Sequence, residues 1–246
     1  MERDDRSPVG TFFVESPLTA GATATLGEQA AHHARVKRLS AGDVVQLTDG
    51  AGHLAIGAIN EIRRTSIDVA TDAVRTVKRP EPIHFRAPVG DRDRMLWLAE
   101  KATELGIATW QAVRFRRSAS VSPRGEGSAF HDKVRARMVS ALEQSGGAWL
   151  PELMADTSVG ELSVASDLVP IVLDVGGAPL ASLIASTSSG AALLVGPEGG
   201  IEPQELSALI DAGWRTASLA STMLRFETAG VAGIAVVRAA QLQRGN

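Results

Sequence analysis

The sequence has no cysteine among its 246 residues, and it has no run of about 18 or more apolar residues, the length that crosses a membrane. Without cysteine, the chain cannot form disulfides, bind a metal through thiolates or attack a pyrimidine through a covalent cysteine adduct. The N-terminal segment MERDDRSPVG lacks the apolar centre of a signal peptide. We therefore expect a cytoplasmic protein with no membrane partner.

Positive charge is scarce in the last part of the chain and abundant in its middle. Residues 86–137 carry 11 basic and 6 acidic side chains, whereas residues 138–246 carry 4 basic and 11 acidic ones. The overall net charge of −3 conceals this difference. An excess of positive charge suits a polyanionic partner, but a solvated arginine-rich surface explains it equally well. Charge alone leaves both interpretations open.

Residues 11–77 have the pattern of a small β-barrel. Short apolar or alternating runs, separated by turns that contain glycine and aspartate, cover residues 11–14, 44–48, 53–60 and 66–74. Between the first two runs we predict a short helix with a basic end, on which four side chains are placed to hold RNA phosphates: His33, Arg35, Lys37 and Arg38. Adjacent histidines point in different directions from a helix, and no other side chains have the spacing of metal ligands, so we expect no metal site.

From residue 83 onward, apolar runs alternate with amphipathic segments, which predicts an α/β domain with a mainly parallel sheet. We expect a proline-rich linker at residues 77–88, a helix at 94–105 and a strand at 107–113. This strand leads into three arginines around an aromatic residue: Arg114, Phe115, Arg116 and Arg117. Guanidinium groups beside an aromatic ring suit single-stranded RNA, although burial in the core is the simpler explanation for Phe115 itself.

Two further segments are expected to be helices. Residues 128–145 have an apolar stripe at helical spacing. Residues 228–242 are apolar on nearly every side apart from Arg238, and their small side chains allow another backbone to approach closely. Packing beneath the domain's own sheet and packing against a second subunit both explain this composition.

A glycine-rich segment is the candidate ligand site. The apolar strand at residues 191–195 ends at the sequence GPEGG, residues 196–200, where adjacent glycines let a ligand approach the backbone. A helix and a second strand, at residues 216–220, follow it. Neighbouring parallel strands release their loops at one edge of a sheet, where ligands of open α/β sheets bind. A turn at residues 174–177, which we expect to close an apolar strand, would add a third loop at that edge.

Several blocks of sequence resemble one known family of enzymes. LLVGPEGGIEPQE and LASTMLRFETA, in this order, resemble the cofactor loops of the SPOUT methyltransferases. RMLWLAEKATELGI, RRSAS and ALEQSGGAWLPE resemble the bacterial RsmE group of that family, and HHARVKRLSAGD resembles the group's N-terminal PUA-like barrel. The resemblance covers nearly the whole chain.

The resemblance implies a fold and an activity. The fold would be an α/β SPOUT domain with a C-terminal trefoil knot in residues 78–246, preceded by a PUA-like, RNA-binding β-barrel in residues 1–77. The activity would be methylation of uridine N3 in 16S ribosomal RNA of the small subunit, by a homodimer that uses S-adenosylmethionine. Two alternatives stay open: methylation of another RNA atom, such as a ribose 2′-OH, and RNA binding without catalysis.

Candidate site residues follow from the same motifs. The resemblance implies that S-adenosylmethionine contacts Leu173, Leu194, Gly196, Pro197, Glu198, Gly199, Leu219, Ala220, Met223, Leu224 and Arg225. Uridine N3 must lose its proton before it can attack a methyl group, so the enzyme needs a general base or a cation that stabilises the enolate. Arg225 is the candidate cation. Glu198 is the candidate base, or else a residue that holds backbone amides.

Several side chains depart from the pattern of the group: Asp91 replaces a lysine or arginine, Gly147 an arginine, Ala220 a glycine, Thr222 an arginine and Phe226 a threonine. Arg92 and Arg94, which are close to Asp91, are the basic residues available there to contact RNA. We expect these departures to affect RNA binding and substrate identity more than cofactor binding.

Overall fold

The structure, a computed structural model, describes residues 7–120, 124–185 and 190–244. The chain divides into two compact units, Met1–Arg79 with Val139–Leu150, and Pro80–Met138 with Pro151–Asn246. Residues 139–150 therefore belong with the N-terminal unit, which no pattern in the sequence indicated. The roles predicted for the two domains, and their division between residues 77 and 78, stay predictions.

The N-terminal unit contains a five-stranded sheet and one helix. Its elements are β1 (Thr11–Phe13), β2 (Thr23–Leu26), α1 (Glu28–Val36), β3 (Val44–Thr48), β4 (His53–Ile62) and β5 (Ile67–Thr76). The strand order is β1-β3-β4-β5-β2, with β1 parallel to β3 and the other pairs antiparallel. The predicted helix and strands are confirmed, and the sheet is open between its edge strands β1 and β2. The sequence did not indicate β2, because only Leu26 of its four residues is buried.

Trp149 anchors residues 139–150 in this unit. Its indole Nε1 donates a hydrogen bond to the carbonyl oxygen of Val77 at 3.2 Å. The ring lies so close to Gly52 that a Cβ on that residue would come within 2.3 Å of it. The guanidinium carbon of Arg79 lies 5.0 Å from the ring centroid, at cation–π distance. The contact therefore requires glycine at position 52.

The second unit is an α/β domain. Its elements are β6 (Ile83–Pro88), α2 (Arg92–Glu104), β7 (Thr109–Arg114), α3 (Ser128–Ser145, of which residues 139–145 belong with the N-terminal unit), β8 (Glu152–Leu153), β9 (Thr157–Ser158), β10 (Leu168–Pro179), α4 (Leu180–Ala185), β11 (Gly190–Val195), α5 (Pro203–Asp211), β12 (Arg215–Ser218) and α6 (Phe226–Arg244). The strand order is β12-β10-β11-β6-β7-β8, with β9 beside β7, and the pairs are parallel. The predicted parallel α/β sheet is confirmed, whereas the trefoil knot stays a prediction.

Helix α6 lies directly on the sheet and on α2. All six residues of β11 are buried, as expected for a parallel strand covered on both faces. A Cβ on Gly230 would lie 2.9 Å from Leu98 Cδ1, and one on Gly233 would lie 2.9 Å from Leu173 Cδ1. Packing within its own domain therefore explains these two small residues of α6.

Arg238, in the C-terminal half of α6, binds backbone carbonyl groups. Arg238 donates from Nε to Leu105 O at 3.2 Å, from Nη1 to Glu81 O at 2.9 Å and from Nη2 to Gly106 O at 2.5 Å. Leu105 and Gly106 directly follow α2, and the last carbonyl groups of a helix lack partners within it. Arg238 therefore has a structural role.

The glycine pair at residues 176 and 177 does not end a strand, and the prediction that it does was wrong. β10 continues through both residues to Pro179, with a shift in its pairing to β12 between Leu173 and Ala178. A Cβ on Gly177 would lie 2.4 Å from the backbone nitrogen of Ala217 in β12. Glycine is needed at this position because two strands approach closely at a bulge.

Candidate functional site

Three segments at the carboxyl edge of the parallel sheet enclose a cleft. They are the bulged part of β10, the loop between β11 and α5 (residues 196–202, the glycine loop) and the loop between β12 and α6 (residues 219–225, the α6 loop). The empty volume of the cleft, with its open mouth included, is about 660 Å³. The prediction that these loops meet at one edge of the sheet is confirmed.

Most residues predicted to contact the cofactor line this cleft: Leu173, Gly196, Pro197, Glu198, Leu219, Ala220, Met223 and Leu224. Leu194 does not, because its side chain packs in the core with Val172 and Trp214. Gly199 lies against Arg117, outside the lining, and Arg225 is exposed between two lining residues. The cofactor contacts of all these residues stay predictions.

The structure adds lining residues that were not among the predicted cofactor contacts. Asp174 and Val175 belong to the bulge of β10, and Phe226 and Ala229 belong to the start of α6. A glycine pair within a strand is a signal for such a bulge, but no sequence pattern marks the start of a helix as the wall of a cleft. Phe226 is 2% exposed, so its departure from the group's threonine changes a wall of the cleft.

The glycine loop owes its shape to its glycines. The backbone nitrogen of Gly200 donates to Pro197 O at 2.8 Å, which closes a tight turn, and Gly200 has a φ of +76°. A positive φ of this size favours glycine. A Cβ on Gly196 would lie 2.6 Å from Ile201 Cγ1, so the two ends of the turn are in close contact. Contacts within the loop therefore contribute to its shape.

Arg94 and Glu198 pair with each other, although the sequence assigned one to RNA and the other to catalysis. The Asp91 side chain caps α2, with Oδ1 accepting from the backbone nitrogen of Arg94 at 3.0 Å. Arg94 Nη1 lies 2.5 Å from Glu198 Oε1, and Arg94 Nε lies 3.9 Å from Glu227 Oε1. Oε2 of Glu227 is buried and has no hydrogen-bond partner among the described residues. Asp91, which stands where the group has a lysine or arginine, therefore caps the helix whose Arg94 contacts the glycine loop.

The arginines after β7 contact the outer side of the glycine loop. Arg117 Nη1 donates to Gly199 O at 2.7 Å, and the backbone nitrogen of Arg116 donates to Glu205 Oε1 at 2.9 Å. Both belong to a short 3₁₀ helix, Arg116–Ser120. Phe115 is 4% exposed, so its predicted burial is confirmed. Two of the three arginines predicted to bind RNA thus have partners within the protein.

The lining of the cleft is mostly apolar. Its charged side chains are the carboxylates of Asp174 and Glu198, which suit a ligand that has an apolar ring and a positive centre. In the part of the chain that the structure describes, no three histidine, aspartate or glutamate side chains are grouped to hold a metal ion. No helix formed by the described residues is long and apolar enough to cross a membrane. The expectation of no metal stays a prediction.

The basic residues in and directly after α1 differ in their surroundings. His33 is half-buried, and its ring lies 5.5 Å from that of Phe12. Burial is the main cause that lowers the pKa of His33 below its ordinary value. Arg35 Nη1 donates to the carbonyl oxygens of Arg63 (3.0 Å) and Arg64 (2.8 Å). The exposed Lys37 and Arg38 are better placed to meet a phosphate, because the lowered pKa of His33 disfavours a positive charge on its ring and Arg35 is already engaged.

Comparisons with known proteins match both units. A family described as "RNA methyltransferase domain" matches residues 78–238, and one described as "RNA methyltransferase PUA domain" matches residues 26–71. Ribosomal RNA small subunit methyltransferase E of Mycobacterium bovis is 29% identical over 240 residues, which cover 92% of this chain and 90% of the relative. Its counterpart from Synechocystis is 25% identical over 226 residues, covering 89% of this chain and 73% of the relative.

A solved structure matches nearly the whole fold. The crystal structure of ribosomal RNA small subunit methyltransferase E from Neisseria gonorrhoeae bound to S-adenosyl methionine has a TM-score of 0.84 and 25% sequence identity with this chain. The match covers 94% of this chain and 97% of that one. The architecture of both units is therefore shared with an enzyme whose crystal structure contains the methyl donor.

Proposed function

The chain belongs to the RNA methyltransferase family, and we propose that it methylates N3 of a uridine in 16S ribosomal RNA of the small ribosomal subunit, with S-adenosylmethionine as the donor. The cleft is the main observation that supports this proposal, because two of its three segments, the glycine loop and the α6 loop, have sequences that resemble SPOUT cofactor loops. The names of the relatives support ribosomal RNA as the substrate. We propose a cytoplasmic location for the same reason.

The residues of the cleft fit S-adenosylmethionine. Leu173, Leu219 and Leu224 would offer apolar surface to the adenine ring, and the carboxylates of Asp174 and Glu198 would suit the ribose hydroxyls and the positive charges of the methionine part. When bound, S-adenosylmethionine supplies an electrophilic methyl group on a sulfonium sulfur. The task of the protein is to orient the reactants and exclude water.

Arg225 is the residue to which we assign stabilisation of the deprotonated uracil. The lone pair of uridine N3 becomes available only when the N3 proton leaves, and the negative charge then spreads to O2 and O4. A guanidinium group beside these oxygens lowers the energy of the enolate. Arg225 is exposed and lies between Leu224 and Phe226, which both line the cleft. It can therefore meet a nucleobase that enters from solvent.

Glu198 has a different role in this proposal. Its Oε1 is held by Arg94 at 2.5 Å, so this oxygen is already engaged. We assign to Glu198 the orientation of the glycine loop, and we propose that the N3 proton passes to solvent. This role differs from the two that the sequence left open for Glu198, a general base and a residue that holds backbone amides.

We propose that both units contact RNA through basic side chains, of which Lys37, Arg38 and Arg114 are exposed and Arg92 is half-buried. Lys37 and Arg38 serve the N-terminal unit, and Arg92 and Arg114 serve the second unit. The match to an RNA methyltransferase PUA domain supports an RNA-binding role for residues 1–77. Contacts of this kind with phosphates position an RNA without reading its sequence.

A homodimer with a knotted C-terminal domain is part of the same proposal. Met223 is 77% exposed and Val175 is 46% exposed, and both line the cleft. Exposed apolar side chains at a binding site gain stability when a second subunit covers them. Sedimentation equilibrium should show a dimer, and a monomer at micromolar concentration would contradict this part of the proposal.

Nucleoside mass spectrometry of 16S ribosomal RNA tests the reaction. We expect 3-methyluridine to disappear from a strain that lacks the gene and to return with the wild-type gene. Loss of a different methylated nucleoside, such as a 2′-O-methylated one, would show that another atom is the target. Titration calorimetry with S-adenosylmethionine tests the cofactor, and an absence of binding would favour a non-catalytic RNA-binding protein.

A further inference from the structure

Arg117 contacts the glycine loop with both its guanidinium group and its aliphatic carbons. Its Nη1 donates to the carbonyl oxygen of Gly199 at 2.7 Å, and its Nε lies 3.7 Å from Glu202 Oε1. A Cβ on Gly199 would lie 3.1 Å from Arg117 Cβ and 3.3 Å from its Cδ. The aliphatic stem therefore packs on the loop, and the guanidinium binds it.

Neighbouring contacts hold the end of the same loop. Nη1 of Arg116 lies 3.6 Å from Glu202 Oε2, and its backbone nitrogen donates to Glu205 Oε1 at 2.9 Å. Glu202 and Glu205 also form the capping box at the start of α5. The 3₁₀ helix at residues 116–120 is therefore tied to the junction of the glycine loop and α5.

The other side of the glycine loop forms one wall of the cleft. Gly196, Pro197, Glu198 and Gly200 line the cleft, whereas Gly199 does not. Gly199 is a central residue of the turn that Gly200 and Pro197 close. A guanidinium group that fixes the carbonyl in the middle of a turn also fixes the orientation of that turn. Arg117 can therefore set the shape of a cleft that it does not line.

We propose that Arg117 is a positioning residue for cofactor binding, which holds the glycine loop in the shape that S-adenosylmethionine requires. This inference rests on the proposed function, because it takes the cofactor as the ligand of the cleft. The contacts of the Arg117 side chain with Gly199 O and Glu202 are both made to the glycine loop. Arg114 is exposed and has, among the described residues, no hydrogen bond or ion pair to the glycine loop. Arg114 and Arg117 thus have separate roles.

Calorimetry on the full-length protein compares Arg117→Ala with Arg114→Ala as the matched control. We expect Arg117→Ala to weaken S-adenosylmethionine binding roughly tenfold, the lower range for a lost hydrogen bond to a charged group, because the side chain is partly exposed. Arg117→Lys should recover part of the affinity, since an ammonium group can bind one of the two oxygens but lacks the fork of a guanidinium. Arg114→Ala should leave cofactor affinity within about twofold of wild type and weaken binding to 30S subunits instead.

Hydrogen exchange of the Gly200 amide, measured without cofactor, reports how firmly the glycine loop is held. We expect Arg117→Ala to speed exchange of the Gly200 amide, while Arg114→Ala leaves it unchanged. A folded Arg117→Ala variant with wild-type cofactor affinity and wild-type exchange at Gly200 would overturn the inference. If the wild-type protein bound no S-adenosylmethionine, the proposed function and the cofactor role of Arg117 would both fail. The exchange comparison would still decide whether Arg117 holds the loop.

Discussion

The Arg94 guanidinium in α2 and the Glu198 carboxylate in the glycine loop form an ion pair, with 2.5 Å between Nη1 and Oε1. The same guanidinium lies 3.9 Å from the Glu227 carboxylate in the first turn of α6. Arg94 therefore connects the glycine loop with the helix that follows the α6 loop. Asp91 supports this arrangement, because its cap fixes the start of the helix that carries Arg94.

The Arg94–Glu198 pair should affect cofactor binding more than stability. We expect Arg94→Gln and Glu198→Gln each to change the free energy of unfolding by less than about 1 kcal/mol, because both side chains are partly exposed. Their effects on S-adenosylmethionine affinity should not add in the double variant. Arg92→Gln, two residues earlier in α2, is the control and should leave that affinity unchanged. Additive losses in calorimetry would show that the two side chains act independently.

Arg225 should be needed for methyl transfer and not for folding. We expect Arg225→Ala to lower kcat by roughly a hundredfold or more, the effect of removing one group that stabilises a developing negative charge. Its unfolding free energy should stay within about 0.5 kcal/mol of wild type, because the side chain is exposed. Arg225→Lys should keep part of the activity. Single-turnover assays on 30S subunits measure this, and unchanged turnover would remove Arg225 from the mechanism.

Gly52 should be essential for the packing of Trp149. We expect Gly52→Ala to destabilise the protein by about 3 kcal/mol, because the new Cβ would overlap the indole ring and the backbone has a φ of +98°. Gly42→Ala is the matched control, since Gly42 has a φ of +91° but no heavy atom within 4 Å of a built Cβ. The control should lose only about 1 kcal/mol, from backbone strain. Equal losses in urea unfolding would mean that the ring moves away freely.

His33 should make stability depend on pH. Burial, followed by positive charge on Lys37 and His32, lowers the pKa of folded His33 below 6.5. The unfolded chain then binds the proton more readily, so the free energy of unfolding rises as pH increases from the lowered pKa to 6.5, and this gain is complete above 6.5. Glu143, whose pKa burial raises, contributes a slope of opposite sign as pH rises above 4.5.

Urea unfolding of His33→Asn across this pH interval isolates the contribution of His33. We expect the variant to lose the rise in stability between the lowered pKa and 6.5. His32→Asn, at an exposed position, should keep most of that rise, because burial of His33 is its main cause and the charge of His32 is the smallest of the three causes. A wild-type pH profile in His33→Asn would show that another group causes the dependence.

Local sequence patterns were enough to locate most elements and the cleft. Strand β11 and helix α5 follow from an apolar run and from a proline, periodic leucines and a glycine, because these signals act over a few neighbouring residues. The closeness of the two cofactor loops follows from the parallel direction of their strands. The identity of the residues that hold the cleft does not follow from either signal.

Contacts between distant residues decided what the sequence left open. Arg117 precedes Gly199 by 82 positions and Arg94 precedes Glu198 by 104, so no local pattern could show that two arginines predicted to bind RNA contact the glycine loop. The need for glycine at position 177 was also hidden from local patterns, since only the nearby backbone of β12 explains it. Periodicity and turn propensity are local, so the amino-acid order alone was enough to place most strands, helices and loops. Which charge meets which partner depends on how those strands and helices pack, and that could be seen only in the folded chain.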